Sequence, residues 1–190
     1  MKDALSFLLV LITLLLHDAR AQHATALPNA CAAVRKAYAA LHQQDTRRTE
    51  QVFLDAFPAT YVSFTAVFGY SGRDSRTTSI QFGCLYDVSP AYIEQLFALH
   101  QVLRADVFAK LIGIARQAQW QSDGLNELQD YSIKLATKDT IFLAFLNAQP
   151  AADIRSFTRF LLLNPVSNEP LKKQLKASYK NYHHLQEVWQ

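Results

Sequence analysis

Glycine and proline are scarce in this chain. Five glycines and six prolines among 190 residues leave few turn-formers, which argues against an all-β fold with its many tight connections. Charge of one sign is not concentrated anywhere. Lys and Arg number 19 against 16 Asp and Glu, a net charge of +3, and this mild basicity lacks the clustered cations of a nucleic-acid-binding domain. Beyond the N-terminal stretch no apolar run is long enough to span a membrane. No Gly-rich loop that could cradle a phosphate occurs. Gly69-Tyr70-Ser71-Gly72 superficially resembles the Gly-x-Ser-x-Gly turn of serine hydrolases, but its spacing is wrong and no strand precedes it. No Asn-x-Ser/Thr acceptor is present, which fits a bacterial origin.

The N-terminus is distinctive. Met1-Lys2-Asp3 precedes 13 uncharged, largely apolar residues, Ala4 to Leu16, and His17-Asp18-Ala19-Arg20-Ala21 follows. At 1.5 Å per residue the apolar run reaches only about 20 Å, short of a hydrocarbon layer of about 30 Å. Ending in Ala-x-Ala, residues 1–21 therefore read as a cleavable signal peptide, the alternative being an uncleaved anchor. Residues 22–190 are expected to form a single all-helical domain, long enough to bury roughly 70% of its unfolded surface. Cys31 and Cys84 are the two cysteines of an exported chain and are most simply a disulfide. The alternative is a pair of free thiols.

Apolar residues recur at helical spacing along nearly the whole remainder. Asn29 or Ala30 opens a helix through Val34, Tyr38 and Leu41. Asp45 or Thr46 caps a second, with Val52, Phe53, Ala56 and Phe57 on one side. Pro58 marks a break, and Tyr61, Phe64, Val67 and Phe68 form the next helix, which Gly69 ends by taking a left-handed conformation. Ser89-Pro90 reads as a cap followed by a first-turn proline, with Ile93, Leu96, Phe97, His100 and Leu103 making one face. Val107, Phe108, Leu111 and Ile112 make another. Ser122 caps a helix through Leu125, Leu128 and Leu135, and Asp139 or Thr137 starts one through Ile141, Phe142 and Phe145. Pro150 separates that helix from Ile154, Phe157, Phe160 and Leu161, and Asn164-Pro165 breaks the chain before a last helix carrying Leu171, Leu175, Tyr179, Tyr182, Leu185 and Trp189. The expected fold is all-α, a compact bundle or array of about eight or nine antiparallel amphipathic helices. Residues 69–89 break the pattern as a long polar loop.

Candidate chemistry is thin. His183 and Glu187 lie four apart on one helical face, the best metal-ligand spacing in the chain, but no third ligand can be nominated from sequence. Glu50 with Asp55, or Glu127 with Asp130, are carboxylate pairs of the kind that glycosidases use. His100 and Asp87 complete the set a cell-envelope hydrolase could draw on. Lys173, Lys176 and Lys180 form a basic stripe on the last helix, suited to solvent or to an acidic partner.

The aromatic run is the most distinctive internal feature. Ala56-Phe57-Pro58-Ala59-Thr60-Tyr61 leads to Phe64, then Phe68-Gly69-Tyr70, and later Leu85-Tyr86-Asp87 and Tyr92-Ile93. Tyr70 and Tyr86 stand at the two ends of the polar loop and are expected to reach the surface. The pattern resembles a family of exported bacterial all-helical proteins without an established activity. The resemblance implies a helical exported protein of bacterial type and assigns no functional residue. Cys84, directly before Leu85-Tyr86, departs from that pattern.

These features favour binding over catalysis: an exported, periplasmic protein of inhibitory or immunity type with a protein partner and no cofactor, metal or nucleic acid. The loop supplies the candidate contact residues Tyr70, Arg73, Arg76 and Tyr86. A cell-envelope hydrolase and a carrier of a small apolar ligand are the alternatives.

Overall fold

The structure, a computed structural model, describes residues 29–71, 80–120, 124–163 and 168–189. Helix α1 covers 29–43. It is followed by α2 (Arg47–Ala56), α3 (Tyr61–Phe68), strands β1 (Tyr70–Ser71) and β2 (Gln81–Phe82), and a 3-10 turn at Tyr86–Val88. Then come α4 (Ser89–Ala98), α5 (Arg104–Ala115), α6 (Gly124–Lys138), α7 (Thr140–Asn147), α8 (Ala151–Leu161), α9 (Glu169–Tyr179), α10 (His183–Gln186) and a final 3-10 turn at Glu187–Trp189. The fold is an all-α array, as the periodicity predicts. No helix among the described residues is long and apolar enough to cross a membrane. The signal-peptide reading of 1–21 concerns residues outside those described.

Local chemistry explains the boundaries. Thr46 and Thr60 each accept the backbone N–H three residues on, while Thr49 and Ser63 reach back to the cap N–H, so α2 and α3 both start in capping boxes. Asp139 caps α7 by accepting from the N–H groups of Ile141 and Phe142. Between α2 and α3, Pro58 prevents one continuous helix. Gly113 lets α5 approach this linker: a Cβ there would lie 2.3 Å from the Ala59 carbonyl oxygen.

Two aromatic chains run through the core. In the N-terminal half, Phe53, Phe57, Phe68, Tyr92 and Tyr38 follow one another with centroid spacings of 4.2–6.0 Å, locking α1, α2, α3 and α4 together. In the C-terminal half, Phe108, Phe142, Phe157 and Phe160 link α5, α7 and α8 at 4.8–6.0 Å. Such offset and edge-on ring pairs add about 1 kcal/mol each beyond their buried area. α6 packs on α4, α7, α8 and α9 and so joins the two halves.

Buried polar side chains tie the helix ends. Gln129 on α6 donates from Nε2 to the carbonyls of Phe160, Leu161 and Leu163, meeting orphan acceptors at the end of α8. Arg116, just past α5, grips the buried Asp153 carboxylate with two hydrogen bonds of 2.8 and 2.9 Å. Glu50 on α2 is 1% exposed and accepts from the backbone N–H groups of His100, Gln101 and Val102 at 2.6–3.1 Å, holding the corner between α4 and α5.

Four sequence expectations need correction. Ser89 is not a cap; the 3-10 turn at 86–88 runs straight into α4, so the cap position falls on Val88 and Ser89 is buried inside the first turn. Gly69 ends α3 in an extended rather than a left-handed conformation (φ −104°, ψ −152°), because the chain continues directly into β1. His100 does not continue the apolar face of α4, which ends at Ala98; the Glu50 carboxylate captures the following N–H groups and turns the chain. The last helix is broken at 180–182, where Asn147 Oδ1 accepts the N–H groups of His184 and Leu185 and starts α10 afresh. Ser122, expected as a cap, lies outside the described residues.

Replacing Glu50 with alanine leaves three backbone donors without their acceptor and should lower stability by about 3 kcal/mol in urea unfolding; an unchanged midpoint contradicts the assignment. Burial would raise the Glu50 carboxyl, but the hydrogen bonds from His100, Val102 and Gln101, with the His100 charge, outweigh it and hold it below its ordinary value. The stabilisation is therefore complete above the unfolded carboxylate pKa of about 4 and lost as pH falls through the lower folded value. Glu50→Gln should accordingly show a shallower loss of stability in acid than the wild type.

Candidate functional site

At the two ends of the 69–89 stretch the described residues are regular rather than irregular: they pair as two short antiparallel strands, the hairpin arm. Tyr70 pairs with Phe82 and Ser71 with Gln81 in antiparallel register. Below this pair the returning strand stays bonded to the scaffold, Gly83 N–H to the Gly69 carbonyl and Leu85 N–H to the Val67 carbonyl, both at 2.8 Å. Gly83 is required for this approach, since a Cβ would lie 2.5 Å from the Val67 carbonyl oxygen. The arm was unreadable from periodicity because strands of two residues are too short to alternate. Arg73 and Arg76, proposed from sequence as contact residues, lie outside the described residues.

The expected disulfide is present. Cys31 in α1 and Cys84 at the foot of the arm are bonded, with their Cα atoms 6.2 Å apart and 53 residues between them in sequence. Arg35, one turn along α1, donates to the Cys84 carbonyl at 2.9 Å. Cys31 is buried and Cys84 exposed, so the bond reaches from the core to the surface.

The arm gathers an aromatic cluster. Phe82 and Tyr86 lie 4.6 Å apart between ring centroids, and Tyr70 stands edge-on to each at 6.4 Å. Their accessibilities differ. Phe82 is 59% exposed, Ile80 46% and Val88 49%. Tyr86 is half-buried. Tyr70 is 9% exposed, so of the two tyrosines expected at the surface, Tyr70 sits beneath the cluster, where its cross-strand pairing with Phe82 puts both rings on one face. The outermost ring, Phe82, is one the sequence reading missed. Its signal was its place in Gln81-Phe82-Gly83, an aromatic isolated in a polar stretch without core spacing. Beside the arm a cleft of about 360 Å³ is lined by Tyr86, Asp87, Ser89, Pro90, Gly124 and Glu127. Burial first, then the charges of Glu94 and Asp130, push the Glu127 carboxyl above its ordinary value.

The other candidates are placed as follows. Glu50 and His100 meet, with Nδ1 3.0 Å from Oε1, and Asp45 joins them so that one ligand atom of each lies within 4.8 Å of the others. The Glu50 oxygens already take three backbone N–H groups and the His100 ring, which fills the four lone-pair positions of a carboxylate and makes this corner structural. Asp55 is exposed and bonded to Gln51. Asp87 precedes α4 and His100 follows it, so they stand apart by about the 15 Å length of a ten-residue helix. His183 and Glu187 do share a face, 3.3 Å apart and exposed, without a third ligand among the described residues. Lys173, Lys176 and Lys180 are exposed, and the Lys176 ammonium lies 5.3 Å from the Trp189 ring centroid.

No known protein family, curated protein or solved structure matches this chain. The resemblance noted above therefore rests on its residue pattern alone.

The Cys31→Ser/Cys84→Ser double variant releases a 53-residue loop, and the chain-entropy relation puts the loss at up to about 4 kcal/mol. Urea unfolding of the wild type and the variant measures it. Equal stability would show that the hydrogen bonds of the arm suffice without the bond.

Proposed function

We propose that this protein is exported and acts by binding another protein, with the exposed face of the hairpin arm as the contact surface. The observation that carries the reading is the Phe82 ring, 59% exposed on a segment held by a disulfide and by backbone hydrogen bonds to α3. A large apolar ring kept in water on a rigid support costs solvation free energy in the free protein and recovers it when a partner covers it. Tyr86 lies beside it, and Ile80 and Val88, near in sequence, are also exposed. Aromatic anchors fixed before contact are the residues that dominate protein interfaces, and rigidity lowers the entropy cost of association.

The disulfide supports an oxidising compartment. The signal-peptide pattern at residues 1–21 points to export and, with the bacterial character of the sequence, to the periplasm. Within that setting an inhibitory or immunity-type role, neutralising a protein delivered into the same compartment, is the reading we favour. It asks for a rigid recognition face on a stable scaffold and for no reaction centre.

The test is capture from the envelope extract of the source organism, with the tagged wild type and a Phe82→Ala/Tyr86→Ala variant side by side. One stoichiometric partner is expected on the wild type, weakened about thirtyfold or more by the double substitution, the size of a lost interface hot spot, with an unchanged helical circular dichroism spectrum. A partner retained equally by both proteins removes the arm from the proposal. Capture of nothing, together with release of soluble products from isolated envelope by the purified protein, would overturn binding in favour of the hydrolase reading and turn attention to the Asp87–Glu127 cleft.

A further inference from the structure

A second concave surface lies on other elements. A groove of about 540 Å³ opens between the end of α4, the C-terminal half of α6 and the start of α7, lined by Phe97, Tyr131, Lys134, Leu135, Lys138, Asp139, Thr140 and Ile141. It is wide and open to solvent, so a bound molecule would keep one side in water. We propose that this groove binds a single-chain carboxylate, an acyl chain lying along the aromatic floor with its head group at Lys134 and Lys138.

The floor is the first ground. Phe97 and Tyr131 stack face to face, 4.6 Å apart with ring planes 14° from parallel. Leu135 follows Tyr131 one turn along α6, and Ile141, 60% exposed, walls the far side. Together they make an apolar strip crossing from α4 to α7, with one large aliphatic side chain left in water at its edge.

Charge is the second ground. Lys134 and Lys138 are four residues apart and so share a face of α6. Neither lies within ion-pair distance of a carboxylate among the described residues; the Lys134 ammonium instead sits 4.7 Å from the Tyr131 ring centroid. The groove's single carboxylate is already engaged. Asp139 Oδ1 accepts from the N–H groups of Ile141 and Phe142, and Oδ2 accepts from Arg104 at 2.6 Å. Glu94 and Glu127 act electrostatically on Tyr131, but neither lines the groove. The net result is two lysines without an ion pair among the described residues, Lys134 over the Tyr131 ring and four residues past Asp130, at the rim of an apolar trough; they suit a ligand with an anionic head and an apolar tail.

This geometry selects an acyl chain over an acidic peptide. A peptide laid along the strip would bring backbone amides that need partners, and buried amides without them are costly. Phe97, Tyr131, Leu135 and Ile141 offer a chain of methylenes what it requires, at about 0.8 kcal/mol for each one buried. The site is separate from the hairpin arm and does not depend on the arm's role.

The probe is dodecanoate, titrated calorimetrically into the purified full chain below its micelle concentration, with dodecyltrimethylammonium and an acidic peptide as comparisons. The expected result is one dodecanoate per chain, bound at least tenfold more tightly than the cation. Lys134→Gln/Lys138→Gln should weaken it about tenfold, the sum of two partly exposed ion pairs, with an unchanged circular dichroism spectrum because both lysines are exposed. Ile141→Asp, at a position already in water, should weaken it as well. Absent dodecanoate binding, equal binding of anion and cation, wild-type affinity in the lysine variant, or binding of the peptide in place of dodecanoate would each overturn the proposal.

Discussion

The Cys31–Cys84 disulfide is the constraint on which the surface features of this fold depend. Helices bury their stripes against one another without help, but an arm built on two-residue strands cannot hold itself in place, since an isolated hairpin is marginal even at full length. The covalent bond ties the foot of the arm to a helix that is itself locked into the first aromatic chain through Tyr38. Arg35 and the two backbone bonds to Val67 and Gly69 fix its orientation, and Gly83 allows the two backbones to touch. Position and direction of the Phe82 ring follow from those contacts.

The rest of the scaffold is rigid for a related reason. Three helix ends are tied by a buried polar side chain reaching from another element: Glu50 at the α4–α5 corner, Gln129 at the end of α8, Asp153 gripped by Arg116. These groups are costly to bury unless satisfied, and each is satisfied several times over. They convert a stack of amphipathic helices, which could slide, into one arrangement. Functionally this matters because recognition by preformed aromatic groups loses less entropy than recognition by a mobile segment.

The helices were legible because their signals are local. Stripes such as Phe53–Phe57 and Phe157–Phe160–Leu161 need only the 3.6-residue period, and the caps at Thr46 and Asp139 need only residue type and position. The disulfide followed from two cysteines and an export pattern. What escaped reading depends on long-range partners. His100 left its helix because Glu50, fifty residues earlier, captures the backbone there. The last helix broke because Asn147 accepts its backbone N–H groups. Tyr70 sank beneath Phe82 because of a cross-strand register that two residues cannot announce. The arm was thus found by its lack of helical pattern, and its outermost ring only by geometry. The groove on α6 was invisible for the opposite reason: Tyr131, Leu135, Lys134 and Lys138 look like the two faces of an ordinary amphipathic helix until Phe97 and Ile141 arrive from elsewhere.

The central claim is that the hairpin arm, preformed and covalently anchored, is the face a partner covers. Hydrogen–deuterium exchange of the protein with and without its captured partner tests it most directly. The account predicts that residues 69–71 and 80–88 exchange little faster than the helices before binding and become the main region of added protection in the complex. Added protection confined to another surface, such as the lysine stripe of α9, with the arm unchanged, would contradict it.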